Sequence, residues 1–258
     1  MKISFSKYHG TGNDFVILDN RDGSYSSLNI EQIKFICDRR FGIGSDGLML
    51  LENAEGYDFK MRYFNADGKE GSMCGNGGRC LVQFAKDCGI VQSTYHFIAS
   101  DGPHEAIILE SGLIKLKMQD VDGVEEHQQY KILNTGSPHF IQYVDHLDAF
   151  DVYKEGKAIR YSDTFKEEGI NVNFVTRLPD GIRIRTYERG VEDETLSCGT
   201  GATASALATA EKEGPQIIKV KVQGGELSIA FNKVGMQRFN DIWLIGPAQF
   251  VYSGEISI

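Results

Sequence analysis

This sequence is short of positive charge. Its 36 acidic side chains outnumber 27 lysines and arginines, leaving a formal net charge of −9. A nucleic acid or an anionic membrane would want a basic face, so neither is expected as a partner. No apolar run approaches the length of a membrane span. Met1 to Lys7 lead straight into a polar, Gly-rich loop, with no hydrophobic region of a signal peptide. Cysteines are few and odd in number: Cys37, Cys74, Cys80, Cys88 and Cys198. That count and the irregular spacing suit a reduced, cytoplasmic protein better than a disulfide framework. No Cys-x-x-Cys pair is present, so no metal site is expected. The loop from Phe41 to Gly47 lacks both the Lys-Ser/Thr of a P-loop and the glycine spacing of a dinucleotide fingerprint. No lysine stands in a recognisable pyridoxal-phosphate context. What is present is a chain of 258 residues, 41% apolar, enough for one large domain or two modest ones.

Two short stretches stand out. Cys74-Gly75-Asn76-Gly77-Gly78-Arg79-Cys80 and Cys198-Gly199-Thr200-Gly201-Ala202-Thr203-Ala204 each begin with a Cys-Gly-x-Gly turn and open a helix-like run. The surrounding chain repeats as well. Gly12-Asn13 precede the apolar run Phe15 to Leu18, as Ser137-Pro138-His139 precede Phe140-Ile141. Gly42 to Gly47 precede Leu48-Met49, as Gly169 to Asn173 precede Phe174-Val175. Phe59, Met61 and Tyr63 alternate with Lys60 and Arg62, and Ile182 and Ile184 alternate with arginines, both half-buried strand patterns. Asn65 ends the first of these strands and Glu188 the second. A meander from Tyr95 to Met118 answers one from Ile218 to Phe231. Blocks recurring in one order, offset by roughly 120 to 126 residues, indicate an internal duplication.

The expected fold is therefore α/β (α+β), with two pseudo-symmetric halves, each a mixed or antiparallel sheet wrapped on a central helix. The first half covers 1–119, with the closing strand in 248–258 returning to it; the second covers 120–247. Asp120 to Tyr130 is polar, lacks apolar periodicity and reads as the linker. Asn29 is placed to cap a helix from Ile30, and the stripe Leu81, Phe84-Ala85 and Cys88 stops at Gly89.

A helix N-terminus presents unpaired N–H groups and partial positive charge. Glycines after the cysteine let a ligand approach the backbone. Such a turn lowers a thiol pKa and can hold a carboxylate. Two such turns facing one another could clamp a carboxylate, with one sulfur on each side of the neighbouring carbon. A thiolate removes the proton from one face and a thiol delivers one to the other, which inverts a stereocentre. No cofactor is needed.

These residues carry a resemblance to the diaminopimelate epimerase family. It rests on His9 to Phe15, Gly42-Ile43-Gly44, Phe64 to Gly68, Met73 to Cys80, Pro138-His139, Tyr187-Glu188-Arg189-Gly190 and Cys198 to Ala202. The resemblance implies interconversion of LL- and meso-diaminopimelate, in lysine and cell-wall precursor synthesis, with Cys74 and Cys198 as acid and base. It implies substrate contacts from Asn13, Asn65, Asn171, Glu188 and Arg189, and a carboxylate held at Gly75-Asn76 and Gly199-Thr200. His139 and Glu188 would tune the thiols, and Tyr252 would lie at a homodimer contact. The chain departs from the family pattern at Gly47, where some members carry Gln, and at Ser137, where many carry Asn. Ser137 can still donate a hydrogen bond through its side chain; Gly47 cannot.

Other readings compete. A related racemase of the proline or hydroxyproline type would leave Asn76 and the Glu188-Arg189 pair without charged substrate groups to meet. A thiol redox protein would use Cys74 and Cys198 as a reversible disulfide. Cys37, Cys80 and Cys88 fall on apolar faces or helix starts and read as core. Asn13 and Asn171 taken alone read as turn or strand-end residues; their functional roles rest on the resemblance.

Overall fold

Strands without polar alternation need cover on both faces, and this requirement sets the architecture. The computed structural model describes all residues from Met1 to Ile258. The chain forms two units, one of Met1–Leu116 with Gly246–Ile258, the other of Lys117–Ile245.

The first unit begins with β1 (Lys2–Gly10) and β2 (Asn13–Asp19), an antiparallel hairpin. Its two-residue turn, Thr11-Gly12, has both residues at positive φ, 51° and 87°, as a turn matched to strand twist requires. Helix α1 (Ile30–Cys37) crosses over to β3 (Gly47–Glu52), which runs parallel to β2. Asn29 caps α1 in a reciprocal box with Gln32, both bonds 3.0 Å. β4 (Phe59–Asn65) returns antiparallel, with short β5 (Glu70–Gly71) beside it. Helix α2 (Gly75–Asp87) leads to β6 (Tyr95–Ala99), parallel to β4, and then to β7 (Gly102–Ile108) and β8 (Ile114–Lys117) in a meander.

Phe15, Val16, Ile17 and Leu18 are all fully buried. Val16, Leu18, Leu48 and Leu50 join Ile33 and Ile36 of α1 in one cluster. On the opposite face, Phe15 and Met49 approach Gly77 of α2. The parallel pair thus lies between the two helices.

The second unit repeats this order. After β9 (Val121–Asp122) and β10 (Glu125–Glu126), β11 (Tyr130–Asn134) and β12 (Pro138–Tyr143) form the hairpin. Helix α3 (Val152–Arg160) crosses to β13 (Asn171–Leu178), parallel to β12. β14 (Gly181–Glu188) returns with β15 (Asp193–Thr195) beside it. Helix α4 (Gly199–Thr209) leads to β16 (Gly214–Val222), parallel to β14, then to β17 (Gly225–Val234) and β18 (Arg238–Gly246). The final strand, β19 (Gln249–Ser257), lies antiparallel to β1 in the first unit, from Lys2 opposite Ser257 to His9 opposite Gln249. Each unit is a mixed sheet around a central helix. Nine of the residues of α4 are buried, and they are Gly, Ala, Thr, Ser and a single Leu, small enough for strands to close on every side.

One expectation needs correction, and one helix carries no sequence signal. The stretch from Asp120 to Tyr130 is not a featureless linker: Val121 and Val124 are buried, β9 pairs with β18 and β10 pairs with β11. Two valines without periodicity give no local signal; the pairing comes from Phe239 opposite Val121 and Ile132 opposite Glu125. The sequence pattern also assigns no helix between β12 and β13, where α3 lies. Only Val152 and Gly156 of that helix are buried, too few to print a stripe.

Gly156 shows how closely α3 lies on the sheet. A Cβ there would stand 2.4 Å from Cβ of Tyr187. Gly156→Ala gains about 1 kcal/mol of helix propensity but forces backbone separation at a cost of about 1–3 kcal/mol. The expected result is a melting temperature lower by a few degrees; an unchanged or higher value would show that α3 can move without penalty.

Candidate active site

Helix α2 starts directly on a catalytic candidate. Cys74 is its N-cap residue, in extended conformation (φ −100°, ψ 128°). Gly75 to Gly78 behind it are buried, and a Cβ on Gly77 would lie 3.1 Å from Sδ of Met49. Arg79, one turn on, is wholly buried and meets only uncharged oxygens: Nη1 donates to Gly75 O (3.1 Å), Nη2 to Asn76 Oδ1 (3.0 Å) and Nε to Pro247 O (3.4 Å). Burial weakens its hold on the proton.

Asn13, at the end of the β1–β2 hairpin, lies against this turn. Its Oδ1 accepts from Asn76 Nδ2 (3.3 Å) and is 3.7 Å from Cys74 Sγ. Its Nδ2 donates to Asp46 Oδ2 at 2.6 Å. Asp46 is fixed in turn by Arg39 (2.9 Å) and by the Asp14 backbone N–H (3.2 Å). Asp14 binds Lys7 (2.8 Å) and Arg39 (2.7 Å), and Lys7 also donates to Gly44 O. Burial alone would raise the Asp14 pKa, but these two cations outweigh it and hold the value near 2. An ion-pair network thus places the side chain that touches Cys74.

The second unit builds the same turn with different partners. Cys198 caps α4, and its sulfur accepts the Gly201 N–H at 3.4 Å. Thr200 Oγ1 lies 3.5 Å from the sulfur, Ser137 Oγ 3.4 Å from Thr200 Oγ1, and His139 Nε2 3.1 Å from Ser137 Oγ. His139 is fully buried; Asn173 Nδ2 meets its Nδ1 at 3.1 Å, and Thr186 donates to Asn173 Oδ1 at 2.9 Å. Burial, then the nearby Arg189, push the imidazole down to about 3, so His139 is neutral. It reaches Cys198 through Ser137 and Thr200 and not by direct contact.

Asn171 is buried, donates to Ser137 Oγ and Pro138 O (both 3.1 Å), and accepts the Arg189 N–H (2.9 Å). Three of its four hydrogen-bonding positions are thereby filled. Glu188 accepts from Thr195 at 2.9 Å. Arg189 is exposed, with Nη1 donating to Glu168 O at 3.0 Å. Asn65 is exposed and accepts from Tyr63 at 2.9 Å.

Several residues around the two candidate cysteines carry little sequence signal of their place there. A Cβ on Gly47 would come within 2.6 Å of the Tyr63 ring and 3.1 Å of its hydroxyl. The polar group beside residue 47 is therefore the Tyr63 hydroxyl, and the ring excludes any side chain there. Asp46, Asn173 and Thr186 were also missed. A signal existed for Asn173: it interrupts the apolar run Val172 to Val175 in a strand that the repeat places at the core. The remaining thiols differ from the two caps. Burial pushes Cys80 up to about 12, and raises Cys37 and Cys88 as well.

The comparisons agree with one another. The family model described as diaminopimelate epimerase matches residues 5–124 and 131–251. A diaminopimelate epimerase of Flavobacterium psychrophilum is 53% identical, over 97% of this chain and 98% of its own. One from Chlorobaculum tepidum is 45% identical, over 96% and 99%. Among solved structures, a phenazine biosynthesis protein of the PhzF family from Bacillus anthracis superposes with TM-score 0.79 at 16% identity, covering all of both chains. A hydroxyproline epimerase from Agrobacterium vitis gives 0.70 at 12% identity, covering 100% of this chain and 93% of that one. These distant likenesses establish the fold.

The Asp14 network carries an acid dependence. Its carboxyl titrates lower folded than unfolded, so its contribution is complete above about pH 4 and lost as pH falls through about 2. Part of the network is exposed to solvent, which reduces the contribution to on the order of 1–2 kcal/mol. Urea midpoints of the wild type should fall between about pH 4 and pH 2 more steeply than those of Asp14→Asn; parallel curves would mean that the network adds nothing.

Proposed function

We propose that this chain, which belongs to the diaminopimelate epimerase family, interconverts LL- and meso-diaminopimelate by exchanging one α-proton between Cys74 and Cys198. The observation that carries the reading is the pair of equivalent cysteines, each capping the central helix of its own repeat. Two cysteines on unrelated scaffolds would not occupy one structural position twice.

In this mechanism a thiolate takes the α-hydrogen from one face. The electron pair passes into the α-carboxylate, whose growing charge is met by N–H groups at the starts of α2 and α4, around Gly75-Asn76 and Gly199-Thr200. The other thiol gives its proton to the opposite face. Each turnover leaves the two sulfurs with protonation states exchanged, and the reverse reaction or solvent restores them. Helix-terminal N–H donors are already aimed before charge develops, so little reorganisation is needed.

Asn13, Asn65, Asn171, Glu188 and Arg189 serve as the substrate-binding set. Glu188 and Arg189 suit the second ammonium and carboxylate of a doubly zwitterionic substrate. Asn171, with three positions filled, offers one lone pair at most. His139 and Glu188 tune the thiols, His139 indirectly. The product feeds lysine and peptidoglycan precursors, in the cytoplasm, where the five free thiols are kept reduced. The protein works as a homodimer through β19, whose Phe250, Val251 and Tyr252 are 54%, 49% and 42% exposed. An edge-strand face this apolar calls for cover.

Incubation with LL-diaminopimelate in D₂O under reducing conditions should place deuterium at the α-carbon and yield the meso isomer. Absence of both would end the epimerase reading. Cys74→Ala and Cys198→Ala should each reduce turnover by at least three orders of magnitude, as expected when one member of an acid–base pair is removed; full activity in either would exclude the two-base mechanism. Sedimentation of the wild type should give a dimer and Tyr252→Glu a monomer, whereas a monomeric wild type would remove the dimer from the proposal.

A further inference from the structure

The two sulfurs occupy equivalent positions, but the hydrogen bonds around them are oriented by groups that cannot reverse. In the first unit, Asp46 can only accept from the Asn13 amide, so Asn13 Nδ2 faces Asp46 and Oδ1 faces Cys74. Arg79 can only donate, which turns Asn76 Oδ1 toward Arg79 and its Nδ2 toward Asn13. Cys74 therefore meets a carbonyl oxygen, and a hydrogen bond there requires a proton on the sulfur.

In the second unit the sense is opposite. Phe140 O can only accept from Asn173, at 3.0 Å, and Thr186 donates to Asn173 Oδ1. Asn173 Nδ2 thus donates to His139 Nδ1, leaving the neutral ring protonated on Nε2, next to Ser137. Pro138 O and the Arg189 N–H fix Asn171 so that its Nδ2 also donates to Ser137 Oγ. With two donors directed at its oxygen, Ser137 gives its own proton to Thr200 Oγ1, and Thr200 gives its proton to Cys198 Sγ. The Gly201 N–H arrives at the same sulfur. Cys198 is met by two donors.

We propose that Cys74 rests as the thiol and Cys198 as the thiolate, with Ser137 as the positioning residue that sets the direction of the chain ending on Cys198. The assignment rests on the reading of both cysteines as acid and base, and deepens it by naming which is which. Other titratable or charged groups lie around each sulfur. Arg79 and Cys80 lie in the helix behind Cys74, with Asp46 beyond Asn13; His139, Glu188 and Arg189 border the second chain. The field of Arg79 favours a thiolate at Cys74. Its donors are directed to three carbonyl oxygens, and the contact with Asn13 opposes it at the sulfur itself.

Ultraviolet thiolate absorbance of the reduced full chain at about pH 7 tests the assignment without needing turnover. Cys74→Ala should retain the absorbance and Cys198→Ala should lose it. Site-resolved iodoacetamide labelling should modify Cys198 several-fold faster than Cys74, because only the thiolate reacts, although Cys198 is the more buried of the two. Ser137→Ala should slow Cys198 several-fold and leave Cys74 unchanged, and Ser137→Thr, which keeps the hydroxyl, should restore the rate. Absorbance that stays with Cys74, or a Cys198 rate indifferent to Ser137→Ala, would overturn the proposal. Correct thiol behaviour without deuterium exchange would instead overturn the epimerase reading.

Discussion

A helix enclosed by its own sheet presents unpaired backbone N–H groups at its first turn, and in this chain a cysteine stands at that position twice. The N-terminal N–H groups of α2 and α4 lack intrahelical partners, and the cap residue in each case is a cysteine. Near these two points the strands close tightly on the rest of each helix. The small residues of α4, the glycines after each cysteine and the parallel strand pairs packed against both helices answer the same steric demand.

Equivalent backbones carry unlike side chains. Beneath α2 lie Phe15 and Met49, while the corresponding positions beneath α4 are His139 and Asn173. Phe15 pairs with Gly47 across the parallel strands as His139 pairs with Asn171. The first unit is therefore apolar under its cysteine and polar at the loop beside it, where Asp14, Asp46, Lys7 and Arg39 form ion pairs. The second is polar directly under its cysteine. A buried polar chain of this kind has to be fully satisfied to be tolerated, and that condition is what gives it a direction. Duplication supplied two similar turns; divergence beneath them made the turns chemically distinct.

Much of this is legible in the sequence. The repeat, the strand pattern and the two Cys-Gly-x-Gly turns print directly in the residues, because burial periodicity and turn chemistry are local. Helix α3, the pairing of Val121 and the burial of Val124 do not, since these few buried residues acquire meaning only from distant partners. Tyr63 was hidden for a related reason: its strand alternation reads as packing, and only the approach of its ring to Gly47 shows that it fills that residue's place.

The sequence by itself determined the duplicated α/β plan, the family and the identity of the two cysteines, all encoded by spacing and by residue type. Tertiary structure alone decided what each sulfur meets. Cys74 and Cys198 sit in almost the same local sequence, but a hydrogen bond's direction depends on the last group in its chain that cannot reverse. Those groups, Asp46 and Arg79 for one sulfur and the carbonyls of Pro138 and Phe140 for the other, include Asp46, Pro138 and Phe140, which are remote in sequence from the thiols they govern.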